Sequence, residues 1–266
     1  MTAEEKTGGE RSPAEIYERH FVPALFGQWG PRVAEAAGIA PGQQALDVAC
    51  GTGALTRAVV ERLAGRGSVI GLDSNPEMLA VARGLMPRVD WREASAESLP
   101  FGEGEFDAVV SQFGLMFFED RVGALREALR VLKPGGRLVV AVCDALDHSS
   151  GYAVLSELLH RLFGPDVAEA FRAPFVCGDR ELLQDLCRQA GIPQAEVTRS
   201  DGSVRFASID ALVATERACA WTLGGLLDDD QFARLTAAAQ ESLAPFAGPD
   251  GTVDFTMPVL MIRARK

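Results

Sequence analysis

The 266-residue sequence lacks several features that mark whole classes of protein. It has three histidines, with no two spaced like metal ligands, and five scattered cysteines that never form a C-x-x-C pair. This excludes a cysteine zinc site, and free thiols are typical of a reducing compartment. No apolar run reaches about 18 residues, the length that a membrane-spanning helix needs. These absences predict a cytoplasmic protein that binds no metal and no membrane.

Positive charge is also scarce, because 26 Lys and Arg residues stand against 37 Asp and Glu residues, for a formal net charge of −11. Such an excess argues against nucleic acid or an anionic membrane as a main partner. Residues 1–12 are polar, lack the apolar segment of a signal peptide, and are predicted to be disordered. Residues 13–266 are predicted to form a single domain, and a homodimer stays open.

Strand-like and helix-like segments alternate between residue 44 and about residue 144. The strands are rich in Val, Leu and Ala on both faces, which suits a parallel sheet covered by helices. The alternation predicts βαβ units in a doubly wound, Rossmann-like α/β fold. The predicted strands are Gln44–Ala49, Ser68–Asp73, Val89–Glu93, Phe106–Gln112 and Arg137–Cys143, and the predicted helices are Ala54–Leu63, Pro76–Leu85 and Arg121–Leu132.

Further helical segments flank this alternating region. Residues 13–40 carry apolar side chains at helical spacing, and Pro23 and Pro31 are predicted to break them into short helices. Two later segments, 145–178 and 207–248, are predicted to be helical insertions that cap the edge of the sheet. Two longer strands complete the prediction, Glu196–Phe206 and Thr252–Ala264.

The sharpest motif is the glycine loop Leu46–Gly53, LDVACGTG, which follows a predicted strand and opens a helix. Glycines there permit a tight turn and close approach to a ligand, and ligands of doubly wound folds bind at the carboxyl ends of strands. No Lys follows the glycines as a P-loop requires, and Thr56 replaces the third Gly of a dinucleotide fingerprint. Asp73 ends the second strand, where an acid can accept hydrogen bonds from ribose hydroxyls. The ligand is predicted to be a nucleoside without a diphosphate.

Residues 43 to about 144 resemble the class I S-adenosylmethionine-dependent methyltransferases, because four motifs stand in that family's order. They are the glycine loop, Asp73 with Met78, Ser95–Phe101 and Leu132–Gly136. The resemblance implies a mostly parallel seven-stranded sheet and S-adenosylmethionine as cofactor. Two residues depart from the pattern: Ala49 replaces a frequent Gly, and Ser95 stands where the family usually has Asp.

The resemblance also implies which residues hold the cofactor. The glycine loop would cradle its methionine part, Asp73 its ribose and Met78 its adenine, with the Ala96 N–H and Glu97 standing in for the missing acid. Tyr17 is predicted to close over the cofactor as a lid. The full predicted set is Asp47, Ala49, Cys50, Gly51, Gly53, Asp73, Ser74, Met78, Ala96, Glu97, Gln112 and Tyr17.

The acceptor side of the site carries fewer signals. By analogy with the family, Phe113, Met116 and Phe117 follow the fourth strand and predict an apolar acceptor pocket. His148, just after the fifth strand, is the candidate base for an acceptor that must lose a proton. The other two histidines are expected to be solvated or structural, and Glu216–Arg217 is expected to be a solvated helical pair.

The predicted function is methyl transfer from S-adenosylmethionine to a small, partly apolar metabolite, with oxygen ranked before nitrogen or carbon as the methylated atom. Such an in-line displacement mainly requires that the protein align the acceptor and exclude water. Two alternatives stay open. One is a nicotinamide-dependent oxidoreductase on the same type of sheet, and the other is a non-catalytic module that binds the cofactor to regulate a partner.

Overall fold

A computed structural model describes residues 12–219 and 222–266, so the disorder predicted for residues 1–12 falls, Ser12 apart, outside the described part. The strands are β1 Gln44–Val48, β2 Ser68–Asp73, β3 Asp90–Glu93, β4 Phe106–Gln112, β5 Leu132–Cys143, β6 Glu196–Ser200, β7 Ser203–Phe206, β8 Val253–Thr256 and β9 Val259–Arg265. Within the described ranges, seven of them form one sheet in the order β3-β2-β1-β4-β5-β9-β6. Neighbouring strands from β3 to β5 are parallel, whereas β9 runs antiparallel to β5 and β6. The predicted doubly wound, mostly parallel sheet is confirmed.

Helices cover the sheet and its carboxyl edge. The α-helices are α1 Pro13–Ile16, α2 Trp29–Ala36, α3 Ala54–Leu63, α4 Pro76–Leu85, α5 Arg121–Val131, α6 Ser150–Phe163, α7 Pro165–Arg172, α8 Arg180–Gln189, α9 Ile209–Ala218 and α10 Asp229–Ser242. A π-helix, Tyr17–Phe26, continues directly from α1. Searched over the described residues, no helix is both long and apolar enough to cross a bilayer.

The central strands are buried on both faces. On one face, Val33 of α2 and Val59 of α3 pack with Val110 of β4. On the other face, Val109 of the same strand packs with Leu125 of α5. Burial on both faces explains why these strands contain almost only apolar residues and why their side chains carry so little information about the site.

Pro23 does not break the first helical segment, so that part of the prediction is wrong. It lies inside the π-helix Tyr17–Phe26, which ends with the Gly27 N–H donating to the Val22 carbonyl at 2.7 Å. A π-helix bonds each N–H to the carbonyl five residues back, so it lacks the i→i−4 ladder that proline interrupts in an α-helix. Pro31 lies in the first turn of α2, where an N–H would have no partner within the helix.

The two longer C-terminal strands of the prediction are each split in two. Glu196–Phe206 contains β6 and β7, and Thr252–Ala264 contains β8 and β9. β6 and β9 pair in the main sheet, whereas β7 and β8 pair only with each other. The breaks fall near Gly202, where a Cβ would collide with the ring of Trp29, and near Pro258, which has no N–H for a ladder.

The two predicted helical insertions pack at the carboxyl edge of the sheet. α6 contacts α7 and α10, and α9 contacts α10 and the π-helix. Together they cover the loops that follow β1, β2, β4 and β5. The interpretation of residues 145–178 and 207–248 as a cap within a single domain stays a prediction.

Candidate functional site

One cavity of about 330 Å³ lies at the carboxyl ends of β1, β2, β4 and β5. We call its two parts the loop end, defined by Asp47, Gly51, Asp73 and Met78, and the helical end, defined by Tyr152, Phe171, Phe175 and Glu216. The predicted cofactor residues that line the cavity are Asp47, Ala49, Cys50, Gly51, Asp73, Ser74, Met78, Gln112 and Tyr17. Three others, Gly53, Ala96 and Glu97, do not line it.

The backbone of the glycine loop turns left-handed at alternate residues, with φ of +57° at Ala49, +54° at Gly51 and +88° at Gly53. Positive φ is strained for Ala49, which has a Cβ. Gly114 leaves room for this methyl group, because a Cβ at Gly114 would lie 2.5 Å from the Ala49 Cβ. At Gly53 a Cβ would meet Trp91 at 2.7 Å. Gly53 is therefore needed for packing against Trp91, and its contact with the cofactor stays a prediction.

Asp73 fixes the glycine loop against the next turn. Its Oδ2 accepts a hydrogen bond from the Gly51 N–H at 2.8 Å, and its Oδ1 accepts one from the Asn75 N–H at 2.9 Å. Burial raises the pKa of this carboxyl, and the backbone donors act in the opposite direction. Because each carboxylate oxygen can accept more than one hydrogen bond, Asp73 can still receive hydroxyl donors from the cavity.

Asp47 is a buried carboxyl with one unsatisfied oxygen. Its Oδ2 accepts a hydrogen bond from the Thr56 hydroxyl at 2.6 Å, whereas Oδ1 has no partner among the described residues. Burial raises the pKa of Asp47 to about 7. Thr56, which stands where a dinucleotide-binding motif has its third Gly, therefore holds this carboxyl in place. The free oxygen suits a ligand that brings N–H donors or positive charge.

The N-terminal helical segment closes one side of the cavity. The Gln112 amide donates to the Phe26 carbonyl at 3.1 Å, and its Oε1 has no partner among the described residues. The rings of Tyr17 and Phe26 stack with centroids 5.1 Å apart. Burial raises the pKa of Tyr17, and the nearby Asp73 charge adds to the shift. Tyr17 thus lies beside the loop end, and its role as a lid stays a prediction.

The segment predicted to meet the adenine, Ser95–Phe101, makes hydrogen bonds within itself and to the turn that precedes α5. Glu97 Oε1 accepts hydrogen bonds from the N–H groups of Glu119 at 2.8 Å and Asp120 at 3.0 Å. The Ser95 hydroxyl accepts one from the Glu97 N–H at 3.1 Å. The geometry gives Glu97 no contact with the cavity, so its substitution for the family's acid is unsupported here.

Aromatic and thioether side chains form the walls between the two ends. Phe113, Met116 and Phe117 line the cavity, and Phe117 remains 42% exposed. Phe113 has a φ of +58°, an outlier for an aromatic residue, and its ring centroid lies 5.0 Å from that of Phe26. Strained backbone of this kind clusters at functional sites, where the surrounding structure holds it.

Glu216 was expected to be solvated with Arg217, and that expectation is wrong. Glu216 is 1% exposed and lines the helical end, whereas Arg217 points away to pair with Asp229. The sequence carries a signal for this. Glu216 follows the buried residues Ile209, Leu212 and Val213 at the spacing of one helix face. An acid on an apolar helix face is buried with it. Tyr152 on α6 also lines this end and was missed.

His148 does not line the cavity. Its side chain is 49% exposed, and Nδ1 lies 3.0 Å from Asp144 Oδ2, which also pairs with Arg199 at 2.9 Å. A general base must reach the proton that it removes, and this geometry does not support that role for His148. The other histidines, His20 and His160, are exposed.

Comparisons with known proteins agree on the chemistry. A family model described as "Methyltransferase domain" matches residues 46–140. The chain is 33% identical to demethylmenaquinone methyltransferase of Staphylococcus carnosus over 204 residues, which cover 71% of this chain and 81% of that protein. It is 41% identical to ubiquinone/menaquinone biosynthesis C-methyltransferase UbiE of Shewanella woodyi over 196 residues, 66% of this chain and 77% of that protein. The chain belongs to the class I S-adenosylmethionine-dependent methyltransferases.

A shorter match and a solved structure complete the comparison. The match to UbiE of Ectopseudomonas mendocina, at 42% identity over 118 residues, spans 42% of this methyltransferase and only 46% of that relative. Phosphoethanolamine N-methyltransferase 2 of Haemonchus contortus, solved in complex with S-adenosyl-L-methionine, superposes with a TM-score of 0.59 at 18% identity. The superposition covers 95% of this chain and 56% of the Haemonchus contortus chain. That likeness shows the fold.

The loop end of the methyltransferase fits S-adenosylmethionine. The cofactor carries an ammonium group, a cationic sulfonium and two ribose hydroxyls. The unsatisfied oxygens of Asp47 and Gln112 suit such donors, and the carboxylate of Asp73 retains capacity for hydroxyls. Nothing in these comparisons supports the nicotinamide-dependent alternative. The described residues also hold no group of three His, Cys, Asp or Glu side chains placed to bind a metal ion.

Proposed function

We propose that this methyltransferase acts on a small, uncharged and largely apolar acceptor that occupies the helical end of the cavity. One observation carries the proposal: among the described lining residues there is no Lys, Arg or His. An anionic acceptor would lose its hydration without gaining a cationic partner, which is costly in a buried site. The aromatic walls favour a ring-shaped, apolar molecule.

We assign the cofactor contacts on the same geometry. Asp73 accepts hydrogen bonds from the ribose hydroxyls, Met78 packs against the adenine, and Asp47 and Gln112 receive the amino-acid part. When bound, S-adenosylmethionine supplies a methyl group on a cationic sulfonium and departs as a neutral thioether. The aromatic walls around Phe113 exclude water and align the acceptor, the protein's main tasks in a displacement of this kind.

The methylated atom is a finer proposal. The prediction from the sequence ranks oxygen first as the methylated atom. The relatives named above are a C-methyltransferase and a demethylmenaquinone methyltransferase. Both suggestions meet in one class of acceptor, a hydroxylated ring, which offers its oxygen and the electron-rich carbons beside it. We propose that class and leave the ranking of oxygen over carbon as a prediction. A cytoplasmic location also stays a proposal, supported by Cys50, Cys143, Cys177 and Cys187, which form no disulfide among the described residues, and the homodimer remains a prediction.

The test is transfer from methyl-labelled S-adenosylmethionine to a matched panel. Neutral hydroxylated rings form one arm and phosphoethanolamine, an anion-bearing amine, forms the other. We expect label only in the first arm, and mass spectrometry of the product assigns the methylated atom. Transfer confined to phosphoethanolamine contradicts the proposal. Tight cofactor binding with no transfer to any member supports the non-catalytic alternative instead.

A further inference from the structure

The helical end of the cavity brings together two polar side chains that no known role accounts for. Glu216 projects from α9 and Tyr152 from α6, and both line the cavity. They are 1% and 3% exposed, respectively. Each shifts the pKa of the other, so the carboxyl and the hydroxyl lie close together.

Neither Glu216 Oε2 nor the Tyr152 hydroxyl makes a hydrogen bond of normal geometry to any residue that the structure describes, and the interaction that remains is the one between the two groups themselves. A buried polar group without a partner costs folding free energy, and native proteins keep few of them. Two such groups facing one cavity indicate a ligand that satisfies both.

The surroundings of the pair are otherwise apolar. The Tyr152 ring makes edge contacts with Phe171 at 5.8 Å and Phe175 at 6.0 Å. The titratable and polar groups nearest the pair are Cys143 of β5, Cys219 and Thr222, and none of them brings a positive charge.

Burial in this setting raises the pKa of Glu216 to about 7, so the carboxyl changes its protonation state near neutral pH, as a general base must. Burial and the neighbouring carboxyl together hold the pKa of Tyr152 well above its usual range, so its hydroxyl keeps its proton.

We propose that Glu216 accepts the proton of a hydroxyl group on an apolar, ring-shaped methyl acceptor, and that Tyr152 donates a hydrogen bond to the oxygen of the same hydroxyl. The inference rests on the proposed function, because it places the acceptor at the helical end. It assigns the base to Glu216 in place of the exposed His148.

A hydroxyl matches the pair better than an ammonium does. The hydroxyl donates one hydrogen bond, to Glu216, and accepts another, from Tyr152. An ammonium only donates, so it would bind Glu216 but could not accept a hydrogen bond from Tyr152. The pair therefore selects a neutral hydroxyl over an amine of similar shape.

The proton transfer is balanced within the acceptor and Glu216. The acceptor O–H bond breaks, its electron pair stays on oxygen, and the proton forms a new O–H bond with Glu216 Oε2. The electron pair, held on oxygen or shared with the ring, then bonds the methyl carbon. The proton stays on Glu216 during the transfer and is released to solvent afterwards. The methylated acceptor is neutral.

The experiment measures binding of three probes of similar shape: 2-naphthol, naphthalene and 2-(aminomethyl)naphthalene. Wild-type protein saturated with S-adenosylhomocysteine is titrated at pH 8 and at pH 5.5. At pH 8 we expect 2-naphthol to bind at least about tenfold more tightly than naphthalene, the range of a charged hydrogen bond. The preference should shrink at pH 5.5, where Glu216 is protonated.

Two variants and one control test which residues cause the preference for 2-naphthol over naphthalene. Glu216→Gln should reduce it to about threefold or less and remove its pH dependence, because the amide is never charged. Tyr152→Phe, which keeps the ring, should weaken it independently. Glu241→Gln makes the same change at an exposed position of α10 and should leave the preference intact.

Three results overturn the inference: equal binding of 2-naphthol and naphthalene by the wild type, tighter binding of the amine than of the naphthol, or an unchanged preference in Glu216→Gln. The proposed function fails differently. If the wild type binds no S-adenosylmethionine, the methyl-transfer proposal falls even where the hydroxyl preference stands. If Glu216→Gln transfers methyl with the wild-type pH profile, only the role of Glu216 falls.

Discussion

The loop end and the helical end of the cavity are built in opposite ways. Most of the loop end comes from one short stretch, 46–78, in which left-handed turns shape the glycine loop and backbone N–H groups hold Asp73, while Gln112 and Tyr17 come from other elements. The helical end joins side chains from separate helices, with Tyr152 on α6, Phe171 on α7 and Glu216 on α9. The loop end is shaped mainly by the backbone, which suits a cofactor that does not vary. The helical end is a packing surface that can differ between acceptors without changing the fold.

Buried carboxyls mark both ends, and each is held differently. Each has one oxygen without a hydrogen bond, but the other oxygen of Asp47 accepts from the Thr56 hydroxyl, whereas Glu216 lies beside Tyr152 and its aromatic neighbours. Burial raises both pKa values to about 7. The difference separates a carboxyl already positioned for its ligand from one that waits for an acceptor.

The largest expected effect is on stability as a function of pH. Glu216 has a pKa of about 7 when folded, above the unfolded value of 4.5, so its contribution is fully present below pH 4.5 and is lost as pH rises through 7. Glu216→Gln should match the wild type at pH 4.5 and exceed its free energy of unfolding by as much as about 3 kcal/mol at pH 8. Urea unfolding of both proteins across this range measures it, and parallel curves would contradict the burial argument.

Asp73→Ala should damage the loop end alone. Loss of a charged acceptor for the ribose predicts that S-adenosylmethionine binding weakens by about 1.5–3 kcal/mol, or roughly 10- to 150-fold in Kd. Calorimetry measures the change, and Asp73→Asn, which keeps one acceptor oxygen, should fall between. Because Asp73 also holds the Gly51 N–H, thermal unfolding must show an intact fold. Unchanged affinity in a folded variant refutes the ribose assignment.

Gly114→Ala tests how the loop tolerates Ala49. The new Cβ would lie 2.5 Å from the Ala49 Cβ, an overlap that should cost about 1–3 kcal/mol of stability. Adding Ala49→Gly removes the opposing methyl group and should recover much of this loss. Denaturant unfolding of both single variants and the double variant gives the coupling energy. Additive losses would show that the two residues do not share this space.

His148→Ala should have the smallest effect. The imidazole is half exposed, and the buried Asp144 with which it pairs also pairs with Arg199, so this carboxyl keeps a cationic partner when the imidazole is removed. Methyl transfer should therefore stay within about twofold of the wild type. A drop of tenfold or more with unchanged cofactor affinity would restore His148 as the base and remove that role from Glu216.

Sequence reasoning succeeded where structure is local. The bounds of Ser68–Asp73 and Pro76–Leu85 and the position of Asp73 beside the glycine loop follow from short-range patterns. It failed where the decisive contact is distant. Pro23 was expected to break a helix that continues as a π-helix, and nothing near Gly114 in sequence reveals that it faces Ala49.

Glu216 lies between these cases. Its place on an apolar helix face is readable from the sequence, but the partner that faces it, Tyr152, lies on another helix. The helical end could therefore not be predicted because its residues meet only after the chain folds, whereas most residues of the loop end lie in one continuous segment.

The most direct test of the division between the two ends is a calorimetric titration of S-adenosylmethionine into the wild type, Asp73→Ala and Glu216→Gln, with NAD as a parallel ligand. The account predicts that the wild type and Glu216→Gln bind S-adenosylmethionine with equal affinity, that Asp73→Ala binds it at least about tenfold more weakly, and that none binds NAD. Equal losses in both variants would contradict the account, because the cavity would then act as one undivided site.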